Sequence, residues 1–282
     1  MTHLHERLLS GLPVHARMLH LDGVPTSVLE GGEGPPLVLL HGPNEYGAKW
    51  MRVFPTLVAT HRVIAPDLPG HGRSGALDGS VDTERVLAWL DALIDRTCSA
   101  PYVLCGHILG GAIAARYAVN PSHALRRLVL VDSLGLTSFQ PVPEFGQALG
   151  AFLSEPSEAT HDGLWRYCAY DLEKLQTRMG DNWNKIKAYN LDRAKVPALK
   201  TTQHALMEHF GFPAIPAADL DRIAVPTSMI WGRHDLATPL SVAQAASARF
   251  GWPLSVIDAC ADDPPMEQPE TFVRALYAAM EE

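Results

Sequence analysis

The chain has 282 residues, 47% of them apolar and 19% charged, a composition expected of a soluble globular domain with room for one α/β core and an inserted segment. A net charge of −8 argues against nucleic acid as a bulk electrostatic partner. Neither a signal peptide nor a membrane span is read, and the four cysteines (Cys98, Cys105, Cys168, Cys260) lack the spacing of a disulfide framework or zinc site, so a cytoplasmic location is expected.

In chain order, "ARMLHL" and "PTSVLEG", separated by Asp22-Gly23, predict an antiparallel hairpin. "PPLVLLHG" is an unbroken apolar run ending in a loop, the pattern of a strand buried on both faces. "HRVIAPDLPGHGRSG" predicts another such strand and a Gly/Pro loop. Val86, Leu87, Leu90, Leu93 and Ile94 recur at helical spacing after Asp82 and Thr83, two candidate caps. "PYVLCG", the helix "IAARYAVNP" and "LRRLVLVDS" complete a βαβαβ rhythm, which implies a mostly parallel sheet flanked by helices.

From about residue 134 to 215 the rhythm stops, and helices and loops are expected. It resumes with "VPTSMIWG", "SVAQAASARF", "PLSVIDA" and "EQPETFVRALYAAM". One core of residues 1–133 and 216–282 with a helical insertion at 134–215 explains this better than two domains. The insertion is rich in aromatics (Phe145, Phe152, Trp165, Tyr167, Tyr170, Trp183, Tyr189, Phe210, Phe212). Internal packing accounts for most of them, and the remainder are expected to line a ligand cavity, with Trp165 and Trp183 as candidate ligand contacts.

The stretch "CGHILGGA" lies between a strand and a helix, where many hydrolases hold a nucleophile in the middle of G-x-S-x-G. Together with "LVLLHGPNE", "RVIAPDLPGHGRS", "PTSMIWGRHDLATP" and "CADDPPMEQPETF", it resembles, in the right order, the α/β-hydrolase superfamily. The likeness is greatest to the lid-bearing branch of epoxide hydrolases, dehalogenases and carbon–carbon bond hydrolases. It implies a mostly parallel sheet flanked by helices, with residues 134–215 as a lid.

The resemblance also implies roles that this chain fills unusually. The nucleophile position holds Ile108, which has no nucleophilic atom, and the position of the catalytic histidine holds Asp262. Only the acid position is filled as expected, by Asp235 in "WGRHD". One oxyanion donor would be the N–H of the residue after His41-Gly42, but that residue is Pro43, which has none. The other would be the N–H of Leu109. A β-branched Ile108 at the positive φ usual for this turn would be strained, so a relaxed turn is expected.

Asp235 and Asp262 should approach each other, because their positions are normally hydrogen-bonded partners, and one of two close carboxyls would then carry a raised pKa. The alternative leaves Asp262 in an exposed "DDPP" loop. Asp262, Asp235 and His107 are the candidate catalytic groups, and His107, His41 and His234 also suit structural roles. Ile108, Leu109, Pro43, Asn44, Trp165 and Trp183 are the candidate substrate contacts, with Glu45 beside them as a loop residue. Neither a metal nor an organic cofactor is implied, Cys260 has no histidine beside it, and self-association is left open.

Three functions stay open at this point. One is a cofactor-free, non-hydrolytic enzyme performing cyclisation, elimination, isomerisation or another proton transfer on a hydrophobic aromatic or polycyclic small molecule. Another is an inactive ligand-binding or scaffolding protein. The third is an Asp-assisted hydrolase of an epoxide or strained ester.

Overall fold

The computed structural model describes residues 2–77, 81–122 and 124–281. Eight strands form one sheet: β1 (His15–Leu21), β2 (Val24–Gly31), β3 (Pro36–Leu40), β4 (Arg62–Pro66), β5 (Tyr102–His107), β6 (Leu125–Val131), β7 (Thr227–Gly232) and β8 (Leu254–Ile257). Their spatial order is β1-β2-β4-β3-β5-β6-β7-β8. The β1–β2 and β2–β4 pairs are antiparallel and all others parallel. The predicted hairpin turns at Asp22 and Gly23, both at positive φ.

The central strands read as continuous apolar runs because both faces of the sheet are covered. Successive side chains point to opposite faces. Val38, Leu40, Leu104, Leu128 and Leu130 enter one core with Trp89, Leu90 and Ile113. Leu37, Leu39, Val103, Cys105, Val129 and Val131 enter the other, with Trp50, Phe54 and Phe272. On the first face, the helix Thr83–Thr97 is capped as expected, the Asp82 side chain accepting from the Arg85 N–H at 2.9 Å.

Between β6 and β7, every regular element among the described residues is helical. The helices run Pro143–Ser154, Glu158–Cys168, Leu172–Met179, Asp181–Ala194, Pro197–Leu206 and Ala217–Leu220, with a π-helical turn at Met207–Gly211. The start of the segment is tied to the core and its two ends to each other. The Leu134 N–H donates to the Ile108 carbonyl at 3.1 Å, and the Ile215 N–H to the Gly135 carbonyl at 2.8 Å. Among the described residues, no helix is long and apolar enough to cross a membrane.

Candidate functional site

The carboxyl ends of parallel strands leave backbone and side chains pointing into one crevice, where ligands of open α/β sheets bind. Here β3, β5, β6 and β7 end side by side, and a cavity of about 120 Å³ lies against residues that follow them. Its wall includes Pro43, Asn44 and Glu45 after β3, Ile108 after β5, Leu134 after β6, Ala237 after β7, and Asp262 and Asp263 after β8. The helical segment supplies Phe145, Phe152, His161, Trp165, Cys168, Asn190, Arg193, Gln203 and Met207, and Phe139 precedes its first helix.

The turn after β5 keeps its strain, which overturns the expectation of a relaxed backbone. Ile108 sits at φ 46°, ψ −105°, as the residue preceding the helix Leu109–Ala118. The cause is local packing. A Cβ on Gly106 would lie 2.3 Å from the Gly110 carbonyl oxygen, and one on Gly110 would lie 2.4 Å from that of Leu40. The chain must therefore turn sharply between two glycines in van der Waals contact with backbone, and Ile108 takes the conformation left to it. Its side chain, 8% exposed, forms part of the cavity wall.

Asp262 is buried and also in the wall, not in an exposed loop. Two further carboxyls, Asp235 and Asp132, lie behind it. Asp235 Oδ1 accepts the N–H groups of Ala237 and Thr238 at 2.7 and 2.8 Å, and Oδ2 accepts the Thr238 hydroxyl at 2.5 Å. Asp132 Oδ1 accepts the Gly232 N–H at 2.8 Å, whereas its Oδ2 has no hydrogen-bond donor among the described residues. Asp132 also feels the charges of Asp235 and Asp262.

The pKa shifts follow this crowding. Burial, with the Asp235 charge added, holds the Asp132 carboxyl well above the usual range. Burial lifts Asp235 to about 6 against its own hydrogen bonds. Burial, then the charges of Asp235 and Asp263, keeps Asp262 well above the usual range. The shift favours the protonated form of Asp262, which faces the cavity.

His107 is fully buried under the turn and does not line the cavity. Its Nε2 lies 2.7 Å from the Asp262 carbonyl oxygen, which can only accept, so Nε2 carries hydrogen. Its Nδ1 lies 3.4 Å from Glu45 Oε2. The same Glu45 oxygen accepts the Gly42 N–H at 2.7 Å. Glu45 Oε1 pairs with the Lys49 ammonium, which also binds Asp263 Oδ2 at 2.8 Å. Burial would raise the Glu45 carboxyl, but Lys49 and His107 outweigh it and hold the group well below the usual range.

The remaining expectations divide. Pro43, Asn44 and Trp165 stand in the wall. Asn44 takes the left-handed conformation at φ 58°, which its short amide side chain tolerates. Leu109 is fully buried in the core beneath the turn, and Asp235 lies behind the wall. Trp183 packs edge-on behind Trp165, ring centroids 4.9 Å apart, instead of facing the cavity. His41 is structural: it accepts the Leu68 N–H at 2.9 Å, and burial pushes its pKa down to about 3. Cys260 is buried against Glu267, and burial drives its thiol far up.

Sequence reasoning missed Asp132, Lys49 and Arg193. Asp132 had a signal, as an acid closing the buried run "LVLVD", and Lys49 another, four residues after Glu45. Arg193 had none. Among the described residues, no group of His, Cys, Asp and Glu side chains is arranged to hold a metal ion.

A profile described as the alpha/beta hydrolase family matches residues 37–275. The chain is 26% identical over 272 residues to the 2-hydroxy-6-oxo-6-(2'-aminophenyl)hexa-2,4-dienoic acid hydrolase of Metapseudomonas resinovorans, covering 92% of this chain and 88% of that protein. It is 28% identical over 256 residues to the pimeloyl-[acyl-carrier protein] methyl ester esterase of Nitrosomonas europaea, covering 88% and 96%. The 2-hydroxy-6-oxo-6-phenylhexa-2,4-dienoate hydrolase of Rhodococcus sp. strain RHA1 superposes with a TM-score of 0.82 at 22% identity, over 95% of this chain and all of that one, which shows the shared fold. These similar proteins are enzymes by name, hydrolases and an esterase. The eight-stranded, mostly parallel sheet and the matched residues together place this chain in the alpha/beta hydrolase family.

Proposed function

We propose that the protein is a cofactor-free enzyme of this family that moves a proton on a hydrophobic, aromatic or polycyclic small molecule and does not form an acyl-enzyme. The observation that carries the reading is a buried carboxyl, Asp262, in the wall of a cavity that the aliphatic Ile108 also lines, with burial and neighbouring carboxyls raising its pKa. The Asp262 hydroxyl would give its proton to a π bond or heteroatom of the ligand. The resulting Asp262 carboxylate would then take a proton from a neighbouring ligand atom, completing an isomerisation, cyclisation or elimination with all atoms accounted for. The helical segment acts as a lid in this reading, its aromatic side chains orienting the ligand and excluding water.

The test is a thermal-shift screen of hydrophobic aromatic metabolites, followed by mass spectrometry of each hit after incubation with wild type and Asp262→Asn. A product of unchanged mass, or one lighter by water, formed by wild type only supports the reading. Addition of water identifies a hydrolase instead, and binding without any product identifies a ligand-binding protein.

A further inference from the structure

We propose that the cavity selects a ligand that carries or develops positive charge, and that Glu45 sets this sign. The inference deepens the proposed function and rests on it only in seating the ligand between Ile108 and the aromatic wall.

An acyl-transfer site presents N–H donors to a developing oxyanion. This chain presents the opposite polarity at the same loop. Pro43 has no N–H to offer, and the Gly42 N–H is spent on Glu45 Oε2 at 2.7 Å. Glu45 and Asp263 line the cavity beside Asp262, whereas the Lys49 ammonium that pairs with Glu45 and Asp263 does not. Lys49 stands behind them, 6% exposed, bound to Glu45 and Asp263. Beside Glu45, the fully buried His107 places Nδ1 3.4 Å from Glu45 Oε2.

Arg193 also lines the cavity, but its charge is already met. Its Nε and Nη2 donate to Asp192 at 3.2 and 2.8 Å, its Nη1 donates to the Gly72 carbonyl at 3.2 Å, and its guanidinium lies 5.8 Å from the Tyr189 ring centre. Phe139, Phe145, Phe152 and Trp165 add aromatic rings, whose faces attract cations. In the proposed reaction the two carboxyls of this wall divide the work: Asp262 protonates the ligand, and Glu45, held against Lys49, stabilises the cation that results.

Three probes of one shape test this: 2-naphthylmethylamine, protonated at neutral pH, 2-naphthylmethanol and 2-naphthoate, each titrated calorimetrically into wild type, Glu45→Gln and Asp263→Asn. The amine should bind wild type tighter than the carboxylate by about tenfold or more, with the alcohol between them. Glu45→Gln should remove most of that preference and Asp263→Asn part of it. A carboxylate bound as tightly as the amine, a preference untouched in a folded Glu45→Gln, or no binding of the amine at all overturns the proposal. Should Glu45→Gln fail to fold, the wild-type ranking and Asp263→Asn decide. The charge preference is read without turnover, so an amine that binds and is never transformed sinks the enzymatic reading alone. Turnover confined to anionic ligands sinks this inference alone.

Discussion

Ile108 and Asp262 face the same cavity from opposite ends of the chain, and each departs from the acyl-transfer pattern differently. At Ile108 the backbone is strained, at φ 46°, and the side chain is aliphatic. At Asp262 the carboxyl is buried with its pKa raised, and under the proposed function it is the proton donor. Packing explains the contrast. The turn is dictated by glycines pressed against β3 and against their own helix, so its shape holds whatever residue 108 is. No such constraint fixes the charge at residue 262, which neighbouring carboxyls and burial determine instead.

The comparison breaks first at Asp262. In Asp262→Asn, turnover of any compound identified as substrate should fall by about 10²–10⁴-fold, the usual worth of general acid–base catalysis, with the fold intact by circular dichroism. Next is the buried ion pair behind it. Lys49→Met leaves Glu45 and Asp263 without their counter-charge and should cost about 3–5 kcal/mol in urea unfolding. The triple variant that also carries Glu45→Gln and Asp263→Asn should recover most of that loss.

The turn itself is probed by Gly110→Ala, whose new Cβ meets backbone at 2.4 Å and should destabilise by about 1–3 kcal/mol in the same assay. A smaller, pH-dependent effect is expected of Asp132. Its folded pKa is raised, so its contribution is fully present below its unfolded value of 3.8 and is lost as pH rises through the folded value. Asp132→Asn mimics the protonated form. It should match wild type in melting temperature at low pH and exceed it increasingly at high pH. The last expectation is a null effect: Ile108→Ser should remain unlabelled by a fluorophosphonate probe, since Asp262 supplies no base to activate it. Labelling there would place a working base at the turn and dissolve the contrast between the two regions.

Much of the sheet was legible because its strands are buried on both faces, which writes runs such as "LVLL" and "LVLV" between loop residues. Ile108, Pro43 and Asp262 could be singled out because each departs from the motifs of the family that the sequence resembles. What could not be read is what depends on tertiary crowding. Nothing local tells that Trp183 backs Trp165, or that the turn keeps its strain, since that follows from distances between backbone segments far apart in sequence. The raised pKa values of Asp132 and Asp262 likewise follow from burial and from carboxyls gathered from the ends of β6 and β7 and the loop after β8.

The proposed reaction needs the Asp262 carboxyl to hold its proton well above the ordinary carboxylate range. It is tested most directly by carbon-13 NMR titration of carboxyl-labelled aspartates, with the Asp262 signal assigned by its loss in Asp262→Asn. The proposed role predicts that this carboxyl titrates well above its ordinary 3.8. A carboxyl that ionises near its ordinary 3.8 would contradict the account, because the wall would then hold no acid to begin the reaction.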